Sequence, residues 1–479
     1  MTIESSDPEV NQRQRVAWWL PQLAGPVIAA ALVRFALLAL AVARSGTSAL
    51  VPNDTMGYLV PGRNLLLHGR FYADGVPDLL RTPGYPLFLA ITNLGGVPAS
   101  ATANVILSVF CVVLVWRLGQ KVFQDDRIAL YGAWIFAFEP LSALFSVSLY
   151  SETLFLALFL LSMERIAAFL LERRLRVLAV GGLWLAAATF VRPVSYYLPV
   201  ALALGLFIVL MRVPGLRWKA PAVLLISVLP WLAAWQIRNH VETGYGGFTS
   251  ITDENSYFYL DADVTARVEH RSTHDVQKEL GIVFTHDNSH QWYLYQPYLD
   301  RHPEQAGWSQ SQRLSYMHSE ANRVIRAHYG VYLRSCFAAL AHILLDSGDS
   351  YFSTLIHREG SGYHTEILSG AGWARRKITL AKMYPLIAVE KAGLDVVMIG
   401  LYLLAMRGIV LARRGAFPGD VCNSCLWMLL GTSLYFLAIS AVGSGGVSRY
   451  RLPVLPVVCI LASAGLPRKG SRTQSCVEI

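Results

Sequence analysis

The chain has 479 residues, of which 54% are hydrophobic and only 15% are charged, and its mean hydropathy is +0.40. A soluble domain usually carries roughly 25% charged residues. The apolar residues also occur in long blocks, which is typical of helices that lie in lipid. The composition therefore excludes an ordinary cytosolic enzyme, a disulfide-rich secreted module and a disordered scaffold, and it predicts a polytopic membrane protein.

The net charge of +9 is distributed in short basic clusters between the apolar blocks. A nucleic-acid-binding protein would concentrate its basic residues on water-exposed faces or tails, so no nucleic-acid partner is expected. The clusters at 172–176, 212–219, 407–414 and 468–472 fall on the same side as the N-terminus. By the positive-inside rule this side is the cytoplasm, and we predict a multi-pass protein of the cytoplasmic (inner) membrane.

Each crossing of the bilayer needs roughly 20 apolar residues, which predicts an all-α protein with about ten transmembrane helices and leaves eleven to thirteen as alternatives. The predicted helices lie approximately at 17–43, 102–122, 128–147, 152–171, 177–192, 195–211, 220–237, 383–406, 423–442 and 450–466. The predicted organisation is a cytoplasmic tail (1–16), an N-terminal transmembrane module (17–237) with a long outer loop (44–101), an external domain (238–382), C-terminal transmembrane helices (383–466) and a cytoplasmic tail (467–479).

The external segment contains one apolar stretch, 331–345, which Arg334 and His342 interrupt. If this stretch crossed the membrane, the Lys/Arg bias would be wrong for every loop after it. We therefore predict an interfacial or re-entrant helix here.

Six cysteines are scattered along the chain, and Cys422 and Cys425 form a single CxxC pair. A structural zinc site normally needs four ligands, and neither a second pair nor a neighbouring histidine is present. The pattern therefore predicts neither a metal site nor redox chemistry at this pair, and no disulfide framework is readable.

Charged residues at the membrane boundary are costly, yet the outer ends of the predicted helices collect several. Asp54 follows the first helix and Glu152 begins the fourth. Arginine matches phosphate oxygens and keeps its charge when it is partly desolvated, and a carboxylate can accept a proton from an attacking hydroxyl. The set predicts chemistry on a lipid-linked phosphate at the outer face. The arginines concerned are Arg81, Arg192, Arg238, Arg449 and Arg451.

Each of these residues also has a structural interpretation. Arg192, Arg449 and Arg451 could be headgroup anchors, and Asp54 could be a loop residue or a helix cap. Glu152 could complement a helix N-terminus. Arg34 lies in the middle of the first helix and could either support the site from below or extend to the membrane surface.

The segment from Asp54 through HGRFYADG to RTPGYPLFLA resembles the first outer loop of the type C (GT-C fold) membrane glycosyltransferases. The likeness is to the bacterial branch grouped with protein O-mannosyltransferases and the lipid A aminoarabinose transferase. LYSETLF, FVRPVSYYLP, WQIRNHVETGYGGF and SRYRLPVLPV follow in the matching order, so the resemblance spans most of residues 30–466. It implies an inverting enzyme that moves a sugar from a polyprenyl-phosphate donor to a lipid, glycan or protein acceptor at the periplasmic or extracellular face.

The resemblance makes 17–237 the catalytic module and implies a role for each matched residue. Asp54 would activate the acceptor hydroxyl, and Glu152 would orient the acceptor or Asp54. Arg81 stands where relatives carry a basic residue ahead of a proline turn. The chain departs from the O-mannosyltransferase signature because Asn53 and Thr55 flank Asp54 in place of a second acid. The implied donor-phosphate candidates are Arg81, Arg192, Arg238, Arg449 and Arg451.

Three tyrosines, Tyr58, Tyr85 and Tyr450, are candidates for substrate contact, since an aromatic ring can stack on a sugar. Asp54 and Glu152 are the two obvious hard-ligand carboxylates, and a divalent ion prefers more oxygen donors. We therefore expect no required cofactor, with a divalent cation as the alternative.

Two other classes of protein remain as alternatives. A transporter or flippase for a lipid-linked sugar would place its polar residues near the midplane and often show repeated halves. A glycan ligase or polymerase with a lipid-diphosphate donor would share the outer arginines and differ in donor chemistry. The sugar, the acceptor and the oligomeric state are not readable from the sequence.

Overall fold

The structure is a computed structural model that describes residues 8–282, 291–357, 382, 385–415, 417, 422–443 and 446–467, with the backbone alone for 8–20. Its N-terminal part contains α1 (Pro8–Ser45), α2 (Thr55–His68), the strands β1 (Tyr72–Ala73) and β2 (Val76–Pro77), α3 (Gly84–Thr92), α4 (Gly96–Phe123), α5 (Asp126–Ala137), α6 (Pro140–Val147), α7 (Glu152–Glu172), α8 (Leu175–Val191), α9 (Leu198–Val209) and α10 (Lys219–Thr243).

The remaining described elements are helical, so the prediction of an all-α class is confirmed. They are α11 (Ile251–Asn255), a π-helix (Ser256–Asp261), α12 (Ala262–Glu269), α13 (Thr273–Glu279), α14 (Gln296–Leu299), α15 (Gln310–Ala327), α16 (Tyr329–Leu345), α17 (Asp349–His357), α18 (Pro385–Arg413), α19 (Asn423–Gly443) and α20 (Leu455–Ala464). The 3-10 helices are Thr47–Leu50, Asn93–Gly95, Pro193–Ser195, Trp292–Leu294, Pro303–Gln305 and Ser448–Arg451.

The structure has apolar helices at all ten predicted crossings, although their first and last residues differ from the predicted ones. Within the described residues, six helical stretches are long and apolar enough to cross a membrane, and α5 with α6 forms a seventh if the bent pair is one crossing. The helices α8, α9 and α20 are apolar but shorter. The six stretches are Pro21–Ser45, Gly84–Phe123, Glu152–Glu172, Lys219–Thr243, Pro385–Arg413 and Asn423–Gly443.

The short helix α20 occupies the centre of the bundle, since every one of its residues is buried. It packs against α4, α5 and α18, and the Ser463 hydroxyl donates to the Ile128 carbonyl at 2.9 Å. A helix that is apolar all round belongs in the interior. Its uniformly apolar sequence therefore reflects burial among other helices.

The predicted helix 128–147 is broken, and Arg34 holds the break together. Pro140 has no backbone N–H, so the carbonyl of Phe136 loses its partner four residues on, and α5 and α6 meet at 54°. The Arg34 side chain is fully buried and donates to the Ala137 carbonyl at 2.7 Å and the Phe136 carbonyl at 3.4 Å. Arg34 also donates to Ser108 at 2.7 Å. It therefore does not extend to the membrane surface.

The first outer segment is folded, although the sequence suggests a long loop. It forms α2, a β-hairpin and α3. The hairpin turns at Asp74 and Gly75, which both have positive φ, as a two-residue type I′ turn requires. Its register pairs Tyr72 with Pro77 and Ala73 with Val76.

The segment after α10 builds a small aromatic core of its own. Tyr257, Phe258, Tyr293 and Tyr298 are buried together there, and Leu79 of the first outer segment joins them. The Thr249 hydroxyl donates to the Leu80 carbonyl at 2.8 Å. The segment after α10 therefore rests directly on the segment that follows Asp54. Residues 358–381 of the predicted external domain lie outside the described residues.

The predicted interfacial stretch is helix α16. Its Ala339 and Ile343 are buried against Ala441 of α19. Its opposite face leaves Leu333 and Phe337 exposed, Phe337 by 70%. This one-sided packing suits a helix lying at a membrane surface, and the interfacial assignment stays a prediction.

Two glycines allow the backbones of α18 and the end of α20 to touch. A Cβ on Gly408 would lie 2.0 Å from the Leu461 carbonyl oxygen, and one on Gly465 would lie 2.0 Å from the Leu404 carbonyl oxygen. Small residues permit such close helix crossings in membrane proteins. The contact fixes the position of the C-terminal helices.

We expect Gly408→Ala to lower the apparent melting temperature of the purified protein, with a loss of about 1–3 kcal/mol typical of overpacking. Gly400→Ala on the same helix is the matched control, because a Cβ there meets nothing within 4 Å. Equal melting temperatures for the two variants in a detergent thermal-shift measurement would contradict the close crossing.

Candidate active site

Five charged side chains from separate parts of the chain meet at one end of the bundle, and both carboxylates stand at the beginning of a helix. Asp54 immediately precedes α2, and Glu152 is the first residue of α7. The backbone N–H of Leu149 donates to the Leu50 carbonyl at 2.9 Å. This bond brings the segments before the two acids side by side, and a carboxylate at a helix N-terminus is favoured by the helix dipole.

Asp54 lies between two arginines. One carboxylate oxygen, Oδ1, is 3.4 Å from Arg81 Nη2, and the other, Oδ2, is 3.2 Å from Arg449 Nη1. Asp78 sets the position of Arg81, since its carboxylate accepts from the backbone N–H of Arg81 at 3.0 Å. Asp54 is 19% exposed and Arg81 is 10% exposed, so the pair is accessible without being fully solvated.

Glu152 forms the second half of the cluster. Its carboxylate pairs with Arg192, and Arg192 also donates to the Ser151 hydroxyl at 3.3 Å. Arg192 has an extended backbone with φ −140, as expected for a residue before proline, here Pro193. The sharp turn between α8 and the next 3-10 helix therefore directs Arg192 toward the start of α7.

Arg449 joins the two halves. Besides Asp54 it contacts Glu152, with 3.8 Å between Arg449 Nε and Glu152 Oε1. Its guanidinium lies 5.5 Å from the ring centre of Tyr150 and 5.4 Å from that of Tyr450. Cation–π contacts of this kind hold an arginine in place while it remains charged. The site is therefore complete only when the C-terminal 3-10 turn is folded against α2 and α7.

With both carboxylates ionised, the three arginines give this cluster one positive charge in excess. The Nε atoms of Arg81 and Arg449 are buried and have no hydrogen-bond partner among the described residues. Buried donors without a partner cost free energy. The five side chains therefore carry one more positive than negative charge, which favours binding of an anion.

A cleft leads from these charges into apolar surroundings. Glu152, Arg192 and Arg449 form its polar end, and Tyr450 also lines it. The apolar lining comes from α7, the 3-10 helix after α8, α19 and the chain before α20, and consists of Phe155, Leu156, Val194, Phe436, Leu452 and Pro453. A charged end next to an apolar lining suits a ligand with an anionic head and a hydrocarbon chain.

The two arginines beside Asp54 determine its protonation. Burial raises the pKa of Asp54, but the charges and hydrogen bonds of Arg81 and Arg449 outweigh burial and bring the pKa below its ordinary value. The carboxylate is therefore ionised at neutral pH. Burial raises the pKa of the neighbouring Asp78 to about 6, against the hydrogen bonds from the Arg81 and Leu80 backbones.

Two of the predicted phosphate-binding arginines lie outside the cluster. Arg238 donates to the carbonyl of Phe71 at 2.8 Å and pairs with Glu242 at 2.8 Å. Arg451 is buried and donates to the Ile343 carbonyl at 2.9 Å and to the Asp346 carbonyl. Both hold backbone segments near the site, and neither contacts the two carboxylates in the described contacts.

The three predicted tyrosines have different positions. Tyr58 accepts a hydrogen bond from Arg81 at 3.2 Å, and the Arg81 guanidinium lies 4.4 Å from its ring centre. Tyr85 is fully buried behind Tyr58, with 4.9 Å between the ring centres. Tyr450 lines the cleft. Tyr450 is therefore accessible from the cleft, whereas Tyr58 is buried beside Arg81 and Tyr85 supports it from behind.

Sequence reasoning did not select Asp78 or Tyr150, which position Arg81 and Arg449. Asp78 lies three residues before Arg81, which is a usable signal, since an aspartate often accepts from the backbone N–H a few residues on. Tyr150 lies within the quoted motif LYSETLF. Its contact with Arg449 spans about 300 residues of sequence and gives no local signal.

Among the residues that the structure describes, no group of three or more His, Cys, Asp or Glu side chains is arranged to hold a metal ion. Independence from metal stays a prediction.

No family model matches the chain, and no curated protein matches it. Solved structures do show similarity. The Archaeoglobus fulgidus oligosaccharyltransferase in the apo form aligns at 11% identity with a TM-score of 0.46, over 92% of this chain and 50% of that one. This chain thus spans about half the length of that protein.

Two structures of ArnT from Cupriavidus metallidurans are also similar. The apo form aligns at 13% identity with a TM-score of 0.37, over 90% of this chain and 78% of that one. The form bound to undecaprenyl phosphate aligns at 15% identity with a TM-score of 0.35, over 89% and 78%. These TM-scores do not establish a common fold.

We expect Asp54→Asn to destabilise the protein at neutral pH by roughly 1–3 kcal/mol, because Arg81 and Arg449 lose a charged partner. A depressed carboxyl pKa contributes stability above the ordinary aspartate pKa of about 3.9, and this contribution is lost as the pH falls through the folded-state value. The difference in thermal midpoint between wild type and Asp54→Asn should therefore shrink below about pH 4.

Asp263→Asn is the matched control for this pH series. Asp263 pairs with Arg267 at 2.8 Å in α12, away from the cluster. A pH-independent difference for Asp54→Asn would mean that Asp54 is not held as a carboxylate by its arginines.

Proposed function

We propose that this protein is a membrane glycosyltransferase that uses a polyprenyl-phosphate sugar as donor. The observation that carries the proposal is the position of Arg449 at the polar end of an apolar cleft, where it pairs with both Asp54 and Glu152. Its guanidinium also lies against the ring of Tyr150. A lipid phosphate matches both parts of this cleft. The sequence resemblance to type C glycosyltransferases points to the same chemistry.

In the proposed reaction, the donor phosphate binds to the arginines at the polar end of the cleft. Arg449 and Arg192 are both in the cleft lining, and both are already paired with carboxylates. The excess positive charge of the cluster compensates the phosphate and stabilises the charge that develops as the sugar leaves. A charge-balanced polyprenyl phosphate is a good leaving group, so little acid catalysis is needed.

Asp54 is the proposed general base. A carboxylate with a depressed pKa is a weak base, and both of its oxygens are occupied by arginines. Phosphate binding draws Arg449 toward the donor and weakens its pairing with Asp54. Asp54 is then a better proton acceptor with the donor bound than without it. Deprotonation of the acceptor hydroxyl is therefore coupled to binding of the donor.

Glu152 is proposed to hold Arg192 and Arg449 at the correct separation. It is 4% exposed and is paired with both arginines, so its direct access to an acceptor is small. Attack of the acceptor hydroxyl from the Asp54 side, opposite the phosphate, inverts the sugar. The acceptor, the sugar and the periplasmic or extracellular orientation of the site belong to this proposal.

We expect Asp54→Asn to abolish transfer by the purified, membrane-reconstituted protein, because the base is lost while the arginines remain. The assay supplies a panel of polyprenyl-monophosphate sugars, and mass spectrometry detects the glycosylated acceptor from a membrane extract. Asp263→Asn is the matched control and should turn over like wild type. Wild-type turnover by Asp54→Asn would remove Asp54 as the base.

The same assay separates the alternative functions. Consumption of a lipid-diphosphate glycan with no use of monophosphate donors would support the ligase or polymerase. Movement of a labelled lipid between leaflets without consumption would support the flippase. Repeating the transfer with a chelating agent tests the expected independence from divalent cations.

We also expect Arg192→Ala and Arg449→Ala to weaken donor binding at least tenfold, since each removes a charged hydrogen-bond donor worth about 1.5–3 kcal/mol. Lys121→Ala is the control, because Lys121 pairs with Glu164 at 3.5 Å near the other end of α7. Binding of a polyprenyl phosphate is measured by displacement of a fluorescent lipid phosphate. Equal losses in all three variants would contradict a phosphate site at the cluster.

A further inference from the structure

The cysteine pair Cys422 and Cys425 lies at the other end of α7 from the candidate active site. The Cys425 Sγ is 3.8 Å from the carbonyl of Ala167. Ala167 is fifteen residues beyond Glu152 in the same helix, which is about 22 Å along its axis. The pair therefore belongs to a separate part of the molecule, and the inference below does not depend on the proposed function.

The backbone places Cys422 at the beginning of α19. Its carbonyl accepts the first bond of the helix, from the Leu426 N–H at 2.9 Å, which is the geometry of an N-cap residue. Its own N–H donates to the Val122 carbonyl at 2.8 Å. Cys425 follows in the first helical turn. The CxxC spacing thus puts one thiol at the helix N-terminus and the other one turn inside.

The two sulfur atoms are 3.0 Å apart, within hydrogen-bonding distance of each other. Both are free thiols. Cys425 is fully buried, whereas Cys422 is half-buried. Cys422 is therefore the more exposed of the two residues, and the buried Cys425 is positioned to react with Cys422.

The environment of Cys422 favours a thiolate. The hydrogen bond with Cys425, the backbone N–H groups of Cys425 and Ser424, and the charge of Arg173 lower the pKa of Cys422 below its ordinary value, although burial acts in the opposite direction. Thiolates at helix N-termini near basic side chains are the reactive form of cysteine.

We propose that Cys422 and Cys425 form a redox-active dithiol that exchanges with the disulfide of a small thiol, with Cys422 as the attacking and Cys425 as the resolving cysteine. The Cys422 thiolate attacks one sulfur of the small disulfide, forms a mixed disulfide and releases one thiolate. Cys425 then loses its proton and attacks the Cys422 sulfur, which releases the second small thiol and closes the Cys422–Cys425 disulfide. Two electrons and two protons pass to the small disulfide, and the chain loses two hydrogens.

The test uses the full-length protein in lipid nanodiscs with Cys476→Ser, which removes a cysteine outside the described residues. The protein is equilibrated with oxidised and reduced glutathione at several ratios, quenched with acid, alkylated and analysed by mass spectrometry. We expect the peptide that contains both cysteines to lose two hydrogens in one transition, while Cys336, which is also half-buried, remains a thiol. A Cys422–Cys425 pair that stays reduced in excess oxidised glutathione would overturn the proposal.

The single variants test the order of attack. Cys425→Ser should accumulate a glutathione adduct on Cys422, whereas Cys422→Ser should leave the buried Cys425 unmodified. The reverse pattern would contradict the assigned roles. In wild type, iodoacetamide at pH 7 should alkylate Cys422 about tenfold faster than Cys336, as expected for a thiol with a lowered pKa. Equal alkylation rates would contradict an activated thiol.

Discussion

The site depends on keeping charge at the boundary of an apolar bundle, and Arg449 is the residue that makes this possible. It contacts Asp54 and Glu152, which stand at the starts of α2 and α7, from a 3-10 turn near the end of the described chain. An unpaired carboxylate or guanidinium in such surroundings costs several kcal/mol. Each charged side chain is the partner of another. The set as a whole is therefore stable at this boundary, whereas any one of these charges alone would be costly.

The same constraint explains the other buried arginines. Arg34 and Arg451 are buried, and both donate to backbone carbonyls whose helices have been interrupted. In lipid, backbone polar groups need partners within the protein. These arginines therefore serve as backbone partners, while Arg81, Arg192 and Arg449 face carboxylates and have charge available for a ligand. The distinction between structural and binding arginines comes from their partners, since all have the same side chain.

This distinction marks what could be predicted from the sequence. Hydropathy located an apolar helix at each predicted crossing, and the outer position of the charges pointed to Asp54, Glu152, Arg192 and Arg449. Hydropathy does not reveal whether an apolar helix faces lipid or other helices, which is why the short, fully buried α20 was indistinguishable from a crossing. Local sequence also cannot reveal the backbone partners of Arg238 and Arg451, because these are carbonyls about 105 to 170 residues away, although the pairing of Arg238 with Glu242 is local.

The cysteine pair is a second case in which local sequence does not reveal the chemistry of a side chain. From sequence, a single CxxC without further ligands indicates neither zinc binding nor redox chemistry. The reactive character of Cys422 depends on its position at the N-terminus of α19 and on Arg173, which comes from the end of α7. In both the cluster and the dithiol, an arginine that is distant in sequence supplies the charge that favours an ionised side chain, a carboxylate in the cluster and a thiolate in the dithiol. In the dithiol, backbone N–H groups at the start of α19 add to this effect. Only the folded arrangement of helices brings these groups together.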